Sequence, residues 1–218
     1  MEGVWSIVLA AGSGSRFGGN KQLAQLGDQR VVDWSVASAK SCCEGVVLVV
    51  NPQTIGESGI PQVDIVVPGG LTRSESVRKG MAVLPQSAEI VVIHDAARPG
   101  ATIQMYLSTI EAVLGGADGA VPGLPVTDTL KQVVDAPVGK KVEATVDRNT
   151  LMAIQTPQAF SRRMLEKAHA AGGQATDDAG LVEAVGGIVM VVPGDPVASK
   201  ITCPSDLIVV AQLMGLDS

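Results

Sequence analysis

A run of small residues that contains two cations lies near the start of the chain, where residues 9–22 read LAAGSGSRFGGNKQ. Small residues let backbone N–H groups approach phosphate oxygens, and the side chains of Arg16 and Lys21 can neutralise the phosphate charge. These residue types in this order predict a site for the phosphates of a nucleoside triphosphate. The backbone expected to line that site belongs to Ala10, Ala11, Gly12, Ser13 and Gly14.

Two other phosphate-binding loops fit this segment less well. A Walker A loop needs Gly-Lys followed by Ser or Thr, whereas Lys21 stands between Asn20 and Gln22. A dinucleotide-binding loop needs closely spaced glycines and an acidic residue after the second strand, but Arg16 interrupts the glycines and that strand ends at Asn51. A glycine-rich turn with solvated cations remains the alternative for the segment taken alone.

Asp95, directly after a predicted strand, is a candidate metal ligand. The segment 93–99 reads IHDAARP, so this carboxylate would project at the end of the strand and could hold Mg²⁺ against triphosphate oxygens. A turn or helix cap is the other common role of Asp at such a position. The neighbouring His94 is expected to be buried and structural rather than catalytic.

Further polar segments stand at other predicted strand ends and loops. The segment 68–76, PGGLTRSES, follows a third strand and opens a helix, so its backbone amides and hydroxyls could read the edge of a base. Capping of that helix by Thr72 or Ser74 is the alternative. Four later segments carry cations and hydroxyls that could dock a second, smaller phosphate. They are DRN at 147–149, TPQ at 156–158, TDD at 176–178 and KIT at 200–202.

These candidates need a scaffold that brings several strand ends together. Short runs rich in Val, Ile and Leu predict buried strands, and helical patterns lie between several of them. This alternation predicts a mainly parallel, doubly wound α/β sheet of the Rossmann-like type in one domain, residues 1–218. The predicted strands are Trp5–Leu9, Val46–Val50, Asp64–Val67, Ile90–Ile93, Gly119–Val121 and Ile188–Val192. The predicted helices are Val31–Ser41, Arg73–Leu84, Ile103–Leu114, Ser161–Ala171, Ala179–Val185 and Ser205–Met214.

One segment breaks the alternation of strands and helices. Thr129–Val134 and Val142–Val146 are strand-like, with the turn residues DAPVG at 135–139 between them. We expect a β-hairpin that protrudes as an arm from the main body over about residues 127–150. An ordinary edge hairpin is the alternative.

The composition limits the classes of partner. The formal charge of −6 argues against a nucleic-acid surface, which would need clustered Lys and Arg. The N-terminal segment lacks a basic region, and its apolar run is too short for secretion or for crossing a membrane. The three cysteines suggest no disulfide framework. We therefore expect a cytoplasmic protein with neither a nucleic acid nor a membrane as partner.

Taken together, these motifs resemble those of the 2-C-methyl-D-erythritol 4-phosphate cytidylyltransferases of the non-mevalonate isoprenoid pathway, over nearly the whole chain. LAAGSGSRFGGNKQ is similar to the family's nucleotide signature, and Gly69 and Gly70 with Arg73, Ser76 and Val77 are similar to its base-recognition loop. HDAARP, TVDRN, QTPQ, TDDA and KIT follow in the family's order. The resemblance implies transfer of CMP from CTP to a polyol phosphate, with Mg²⁺ as cofactor.

The resemblance also implies roles for particular residues. Arg16, Lys21, Arg148 and Lys200 would be catalytic, and Asp95 would bind Mg²⁺. The residues implied to bind CTP are Ala10, Ala11, Gly12, Ser13, Gly14, Gly69, Gly70, Ser76 and Asp95. Those implied to bind the polyol phosphate are Arg98, Thr129, Arg148, Thr156, Thr176 and Lys200. A homodimer is implied as well, in which Arg98, Thr129 and Arg148 come from the partner subunit.

Two rival interpretations stay open at this point. Ribitol-5-phosphate cytidylyltransferases use the same nucleotide chemistry, although Ala11, where those sequences tend to have Gly, favours the first resemblance. A non-catalytic nucleotide-binding module is the rival from another class, and the charges kept in the glycine run and at Asp95 argue against it. The chain departs from the family at Asn20, where Pro usually precedes the lysine, and at Val197, where some members have Asp.

Overall fold

Buried strands rich in Val and Ile form the centre of the molecule, for which a computed structural model describes residues 1–12, 14, 16–54, 59–173 and 175–216. β1 (Val4–Ala10) lies between β4 (Gly45–Val50) and β6 (Ile90–Asp95), and β5 (Ile65–Pro68) lies beyond β4. These four strands are parallel. Every residue of β4 is buried, as expected for a strand that is covered on both faces.

The other half of the sheet mixes strand directions. β11 (Gln158–Ser161) is antiparallel to both β6 and β7 (Gly119–Pro125). β7 also pairs with β10 (Met152–Ile154), which is antiparallel to it, and with β12 (Val189–Pro193), which is parallel. The sequence analysis predicts neither β10 nor β11. β11 lacks a Val-rich signature, because its three buried residues are Gln, Ala and Phe.

Helices cover both faces of the sheet, which confirms the mainly parallel, doubly wound α/β architecture. α1 and α3 pack on the face that includes Val8 and Leu48, whereas α2, α4 and α5 pack on the face that includes Ile7 and Val47. Within the described ranges, none of the helices is both long and apolar enough to cross a membrane. The helices are α1 (Val31–Cys42), α2 (Arg73–Met81), α3 (Ile103–Leu114), α4 (Arg162–Ala171), α5 (Asp178–Ala184) and α6 (Ser205–Leu213).

A third apolar cluster joins the two ends of the chain. The short antiparallel strands β2 (Gln25–Leu26) and β3 (Gln29–Arg30) lead into α1. Leu26 and Val31 from this region pack with Ile201 and with Val210 of α6, and all four side chains are buried. The packing therefore holds the KIT segment beside the N-terminal part of the chain.

The segment 131–145 forms a two-stranded antiparallel sheet apart from the main one, made of β8 (Lys131–Asp135) and β9 (Lys140–Thr145). All residues of both strands are exposed. The turn closes with a hydrogen bond from the Ala136 amide to the Gly139 carbonyl at 3.1 Å. Gly139 has a φ of 75°, which glycine adopts without the steric cost of a side chain.

Candidate active site

A cleft of about 760 Å³ opens where β1, β4, β5 and β6 end. This is the edge at which open parallel sheets bind ligands. Eight of the residues predicted for the site line the cleft: Ala11, Gly12, Lys21, Gly69, Gly70, Ser76, Asp95 and Lys200. The other lining residues are Leu9, Gln22, Asn51, Pro52, Gln53, Leu71, Thr72, Arg73, Glu75, Lys79 and Ala97.

The glycine run after β1 forms one wall of the cleft and folds back on itself. The amides of Phe17 and Gly18 both donate to the Gly14 carbonyl, at 2.8 and 3.1 Å. Gly14 has a φ of 63°, and a Cβ added to it would lie 2.0 Å from the Gly19 carbonyl oxygen. Only glycine fits there, because a side chain would force the two arms of the loop apart. Ser13 lies outside the described residues.

Lys21 begins a short 3-10 helix after this loop, and its ammonium points towards the C-terminal part of the chain. Its Nζ donates to the Ile201 carbonyl at 2.8 Å. Burial lowers the pKa of Lys21, and the positive charges of Lys200 and Arg16 lower it further, against the opposing charge of Asp95. Lys200 and Arg16 therefore both lie close enough to repel Lys21, an arrangement that favours the binding of a polyanion.

Asp95 ends β6 and is the negative centre of this group. Its Oδ2 lies 2.6 Å from Lys200 Nζ, and its Oδ1 lies 3.5 Å from Arg73 Nε. Burial raises the pKa of Asp95, but the charges of Lys200 and Arg73 outweigh that effect and bring the pKa down to about 2. The carboxylate is therefore ionised at neutral pH.

The loop after β5 forms the opposite wall of the cleft. The Ser76 hydroxyl accepts a hydrogen bond from the Gly70 amide and donates one to the Thr72 carbonyl, both at 3.0 Å. Thr72 Oγ1 accepts from the Glu75 amide at 3.1 Å, so Thr72 caps α2. The Ser76 hydroxyl thus shapes the loop, and any base read at this wall would be read mainly through the backbone.

Gly69 lies where the two walls of the cleft meet. A Cβ added to Gly69 would lie 2.3 Å from the Ala11 Cβ. If the cleft takes CTP, as the resemblance implies, we expect Gly69→Ala to push the loops apart and to raise the KM for CTP about tenfold, a free-energy change of about 1.4 kcal/mol. Steady-state kinetics with varied CTP measure this effect.

Gly115→Ala is the matched control for Gly69→Ala. Gly115 caps the C-terminus of α3, away from the cleft, and the nearest atom to its added Cβ would be 3.3 Å away. We expect the control to leave the KM for CTP unchanged. A KM for CTP that is the same in Gly69→Ala as in the control would contradict the predicted displacement of the two loops.

Two buried polar residues support Asp95 from behind. The Thr156 hydroxyl accepts a hydrogen bond from the Asp95 amide at 3.0 Å, and it lies 3.0 Å from His94 Nδ1. Burial lowers the pKa of His94 to about 4, so the ring is neutral. This fits the sequence-based expectation of a buried, structural histidine. Thr156 itself, predicted to bind the polyol phosphate, is buried, and its hydroxyl faces Asp95 and His94.

The buried His94 makes the fold sensitive to acid. The unfolded chain protonates this ring near pH 6.5, whereas the folded chain resists protonation until about pH 4. Stability from this group is therefore fully present above pH 6.5 and is lost as the pH falls to 4, a loss of roughly 3 kcal/mol. We expect urea unfolding of His94→Asn to show a shallower fall in unfolding free energy over this window. Equal slopes in both proteins would contradict the prediction.

The remaining predicted site residues that the structure describes do not line the cleft. Ala10 is buried at the end of β1, and Arg16 is exposed beside the glycine run. Arg98 donates through Nη1 to the Ala198 carbonyl of its own chain at 2.8 Å. Thr129, Arg148 and Thr176 are exposed, and Arg148 donates to the Thr127 carbonyl at the base of the hairpin.

The ion pair between Arg73 and Asp95 could not be predicted from the sequence. The sequence indicates Arg73 only as part of the motif similar to the base-recognition loop. Arg73 is the first residue of α2. A cation in the first turn opposes the helix dipole, so an arginine there signals a partner outside the helix. Lys79 is another unpredicted cation at the cleft, and its Nζ donates to the Gly69 carbonyl at 2.9 Å.

The chain is similar to known proteins along most of its length. The family model described as IspD, 2-C-methyl-D-erythritol 4-phosphate cytidylyltransferase, matches residues 4–215. The enzyme of that name from Streptomyces avermitilis is 39% identical over 96% of this chain and 91% of its own length. A bifunctional IspD/IspF enzyme of Clavibacter michiganensis is 40% identical over 97% of this chain and 54% of its own length.

Solved structures show the same similarity. The crystal structure of 2-C-methyl-D-erythritol 4-phosphate cytidylyltransferase from Thermus thermophilus superposes with a TM-score of 0.79 at 32% identity, over 96% of this chain and 98% of that one. Its mostly parallel central sheet, with helices on both sides, matches the fold described above. The chain spans about half the length of the bifunctional curated relatives that it matches.

Proposed function

Because the chain belongs to the 2-C-methyl-D-erythritol 4-phosphate cytidylyltransferase family, we propose that it transfers a cytidylyl group from CTP to 2-C-methyl-D-erythritol 4-phosphate. The products are the CDP-linked polyol and pyrophosphate. The chain is then a nucleotidyltransferase of the non-mevalonate route to isoprenoid precursors.

The observation that supports this function best is the group of cations around Asp95 at the mouth of the cleft. Lys200 lies 2.6 Å from that carboxylate, and Lys21 is close enough to Lys200 for the two charges to interact. Gly12 and Gly69 stand on opposite walls beside them. A nucleotide with its triphosphate at the cations and its base between these walls suits this shape.

The proposed reaction is an in-line displacement at phosphorus. An oxygen of the polyol phosphate attacks the α-phosphorus of CTP, and the bond from that phosphorus to the bridging oxygen breaks as the new P–O bond forms. Pyrophosphate leaves with the electron pair of the broken bond. A phosphate monoester has its second pKa near 6, so the nucleophile is already ionised and no general base is needed.

The task left to the protein is to neutralise and align two anions. We propose that Lys21 and Arg16 contact the triphosphate and that Lys200 lies between the two substrates. Lys200 is the cation best placed to turn from Asp95 to a substrate phosphate, because its side chain is 42% exposed and pairs with Asp95 at the cleft. Leaving Asp95 for a substrate phosphate would exchange one anionic partner for another.

We propose that Asp95 also holds Mg²⁺ together with CTP. Within the part of the chain that the structure describes, no group of three or more His, Cys, Asp or Glu side chains could hold a metal ion. Mg²⁺ is commonly bound by one or two carboxylates and substrate phosphates, so the ionised Asp95 at its strand end fits this cofactor. When bound, Mg²⁺ would neutralise charge that develops on the leaving pyrophosphate.

We further propose a homodimer in which the hairpin arms of two chains interlock. The hairpin exposes apolar side chains, among them Val138 at 94% and Val142 at 52%. A lone two-stranded hairpin is at best marginally stable in water, so burial against a second chain would stabilise it. Thr129 and Arg148, at the base of the arm, would then be delivered to the polyol phosphate in the partner's cleft.

A cytoplasmic location remains a prediction from the sequence.

An assay of pyrophosphate release tests the function. The purified chain is supplied with each of the four nucleoside triphosphates, paired with methylerythritol phosphate, ribitol phosphate or a sugar 1-phosphate. We expect release with CTP and methylerythritol phosphate. Preference for ribitol phosphate would assign the chain to the related cytidylyltransferases, and no release with any pair would favour a non-catalytic binding module.

A further inference from the structure

A line of alternating charges runs from the cleft into the core between α2, α4 and α5. It begins with Lys200 and Asp95, whose atoms lie 2.6 Å apart, and continues to Arg73, whose Nε lies 3.5 Å from Asp95. Arg73 Nη1 then donates to Asp178 Oδ2 at 2.6 Å, and His169 Nε2 lies 3.0 Å from Asp178 Oδ1. The proposed reaction uses only the first part of this line.

The inner end of the line is more deeply buried than the end at the cleft. The Arg73 side chain is 30% exposed, whereas those of Asp178 and His169 are 0% and 2% exposed. Burial raises the pKa of Asp178, but the hydrogen bond from His169 and the charge of Arg73 outweigh it and lower the pKa. Asp178 is therefore an ionised carboxylate that accepts from both partners, and the bond from His169 requires the ring proton on Nε2.

The two cations that share Asp95 differ in their freedom to move. Lys200 has a flexible side chain that is 42% exposed and can turn to a substrate phosphate. Arg73 cannot follow, because the short bond to Asp178 fixes its guanidinium from the side away from the cleft. When Lys200 turns to substrate, Arg73 is the cation that still faces Asp95.

We propose that Asp178 and His169 are positioning residues, which hold Arg73 against Asp95 so that this carboxylate keeps its orientation while Lys200 serves the substrates. Neither residue reaches the cleft. This inference rests on the proposed function, since it assigns Asp95 to the metal and the triphosphate. It gives a role to two buried residues on α4 and α5: Asp178, which the TDDA motif contains without an assigned role, and His169, which lies in none of the motifs.

The experiment replaces Asp178 by Asn, which keeps the shape of the side chain and removes its charge. Loss of such a supporting partner typically costs about 10- to 100-fold in metal affinity or activity. We expect Asp178→Asn to raise the Mg²⁺ concentration that half-saturates turnover by about 10- to 100-fold and to lower kcat, with no change in the KM for the polyol phosphate. A merely destabilised protein would lose active molecules without any change in half-saturating Mg²⁺.

Binding of Mn²⁺ in the presence of CTP, followed by electron paramagnetic resonance, gives a second measurement that needs no turnover. We expect the affinity of Asp178→Asn for Mn²⁺ to fall by the same factor. If the wild type releases no pyrophosphate, the proposed function fails, while the Mn²⁺ measurement still tests the positioning role. Wild-type values of both half-saturating Mg²⁺ and Mn²⁺ affinity in Asp178→Asn would overturn the inference.

The matched control is Glu166→Gln, which breaks another ion pair on α4. Glu166 Oε1 lies 2.7 Å from Arg162 Nε, and its side chain is 49% exposed and away from the cleft. We expect the control to behave as the wild type in both measurements. Equal losses in Glu166→Gln and Asp178→Asn would overturn the inference, because the effect would not depend on the line of charges.

Two substitutions of His169 test the positioning role even if Asp178→Asn does not fold. In His169→Gln, the amide nitrogen can occupy the place of Nε2 and donate to Asp178, whereas His169→Leu offers no donor. We expect near wild-type half-saturating Mg²⁺ in His169→Gln and a raised value in His169→Leu. The same value in both variants would contradict a positioning role for the His169 hydrogen bond. Thermal melting of each variant shows that the compared proteins are folded.

Discussion

Replacing Lys21 by Ala is expected to lower turnover by about 10²- to 10³-fold at saturating CTP, the usual effect of removing one preorganised donor. Lys21 is held in place before substrate arrives, because its ammonium donates to the Ile201 carbonyl at 2.8 Å. Burial and the charge of Lys200 lower its pKa, so an incoming triphosphate relieves repulsion that already exists in the site. Steady-state pyrophosphate release measures the loss.

Lys40→Ala is the matched control for this prediction. Lys40 also donates from Nζ to a backbone carbonyl, that of Gln62 at 3.0 Å, but it lies on α1 away from the cleft. We expect Lys40→Ala to retain wild-type turnover. Near wild-type turnover in Lys21→Ala would show that Lys21 is not catalytic. The proposed mechanism would then be wrong.

Asp95→Asn is the second change for which we expect a large effect. The substitution keeps the shape of the side chain but removes the one negative charge that Lys200 and Arg73 share. We expect turnover to fall by at least about 10²-fold and its dependence on Mg²⁺ to weaken. Initial rates over a Mg²⁺ titration measure both quantities, and an unchanged titration would refute a metal-binding role.

The low pKa of Asp95 means that the effect of removing its charge can be measured at a pH where acid does not protonate the wild-type carboxylate. Its folded-state pKa of about 2 lies below the ordinary value of 3.8. The stability that Asp95 contributes is therefore fully present above pH 3.8 and is lost as the pH falls towards 2. At neutral pH the wild-type carboxylate stays charged, so a difference from Asp95→Asn reports the loss of the charge itself.

The sequence predicts the layout of the sheet better than the contacts within the site. Val-rich strands such as β4 and β6 are evident because a buried strand repeats apolar residues without alternation. The carboxyl ends of β5 and β6 place Gly69 and Asp95 at one edge of the sheet, and both residues line the cleft. By contrast, β11 is hidden by its composition, since Gln158 is buried in it and Pro157 directly precedes it.

Contacts that depend on three-dimensional packing could not be predicted. Ser76 reads as a hydroxyl available to a base, but its position relative to Gly70 and Thr72 uses that hydroxyl within the loop. Asp178 stands out in the sequence only as part of the TDD segment, a candidate for docking a second phosphate. Its bond to Arg73 joins residues 105 positions apart, and no local spacing encodes such a distance.

The bond from Lys21 to Ile201 also orders events during synthesis, because it joins residues 180 positions apart. A ribosome delivers the glycine run, Gly69 and Asp95 long before it delivers Lys200 and Ile201. In an unfinished chain that ends before residue 200, Lys21 therefore has no anchor and Lys200 is absent. If the proposed function holds, turnover therefore requires translation to pass residue 201, because a shorter chain lacks a complete set of site cations.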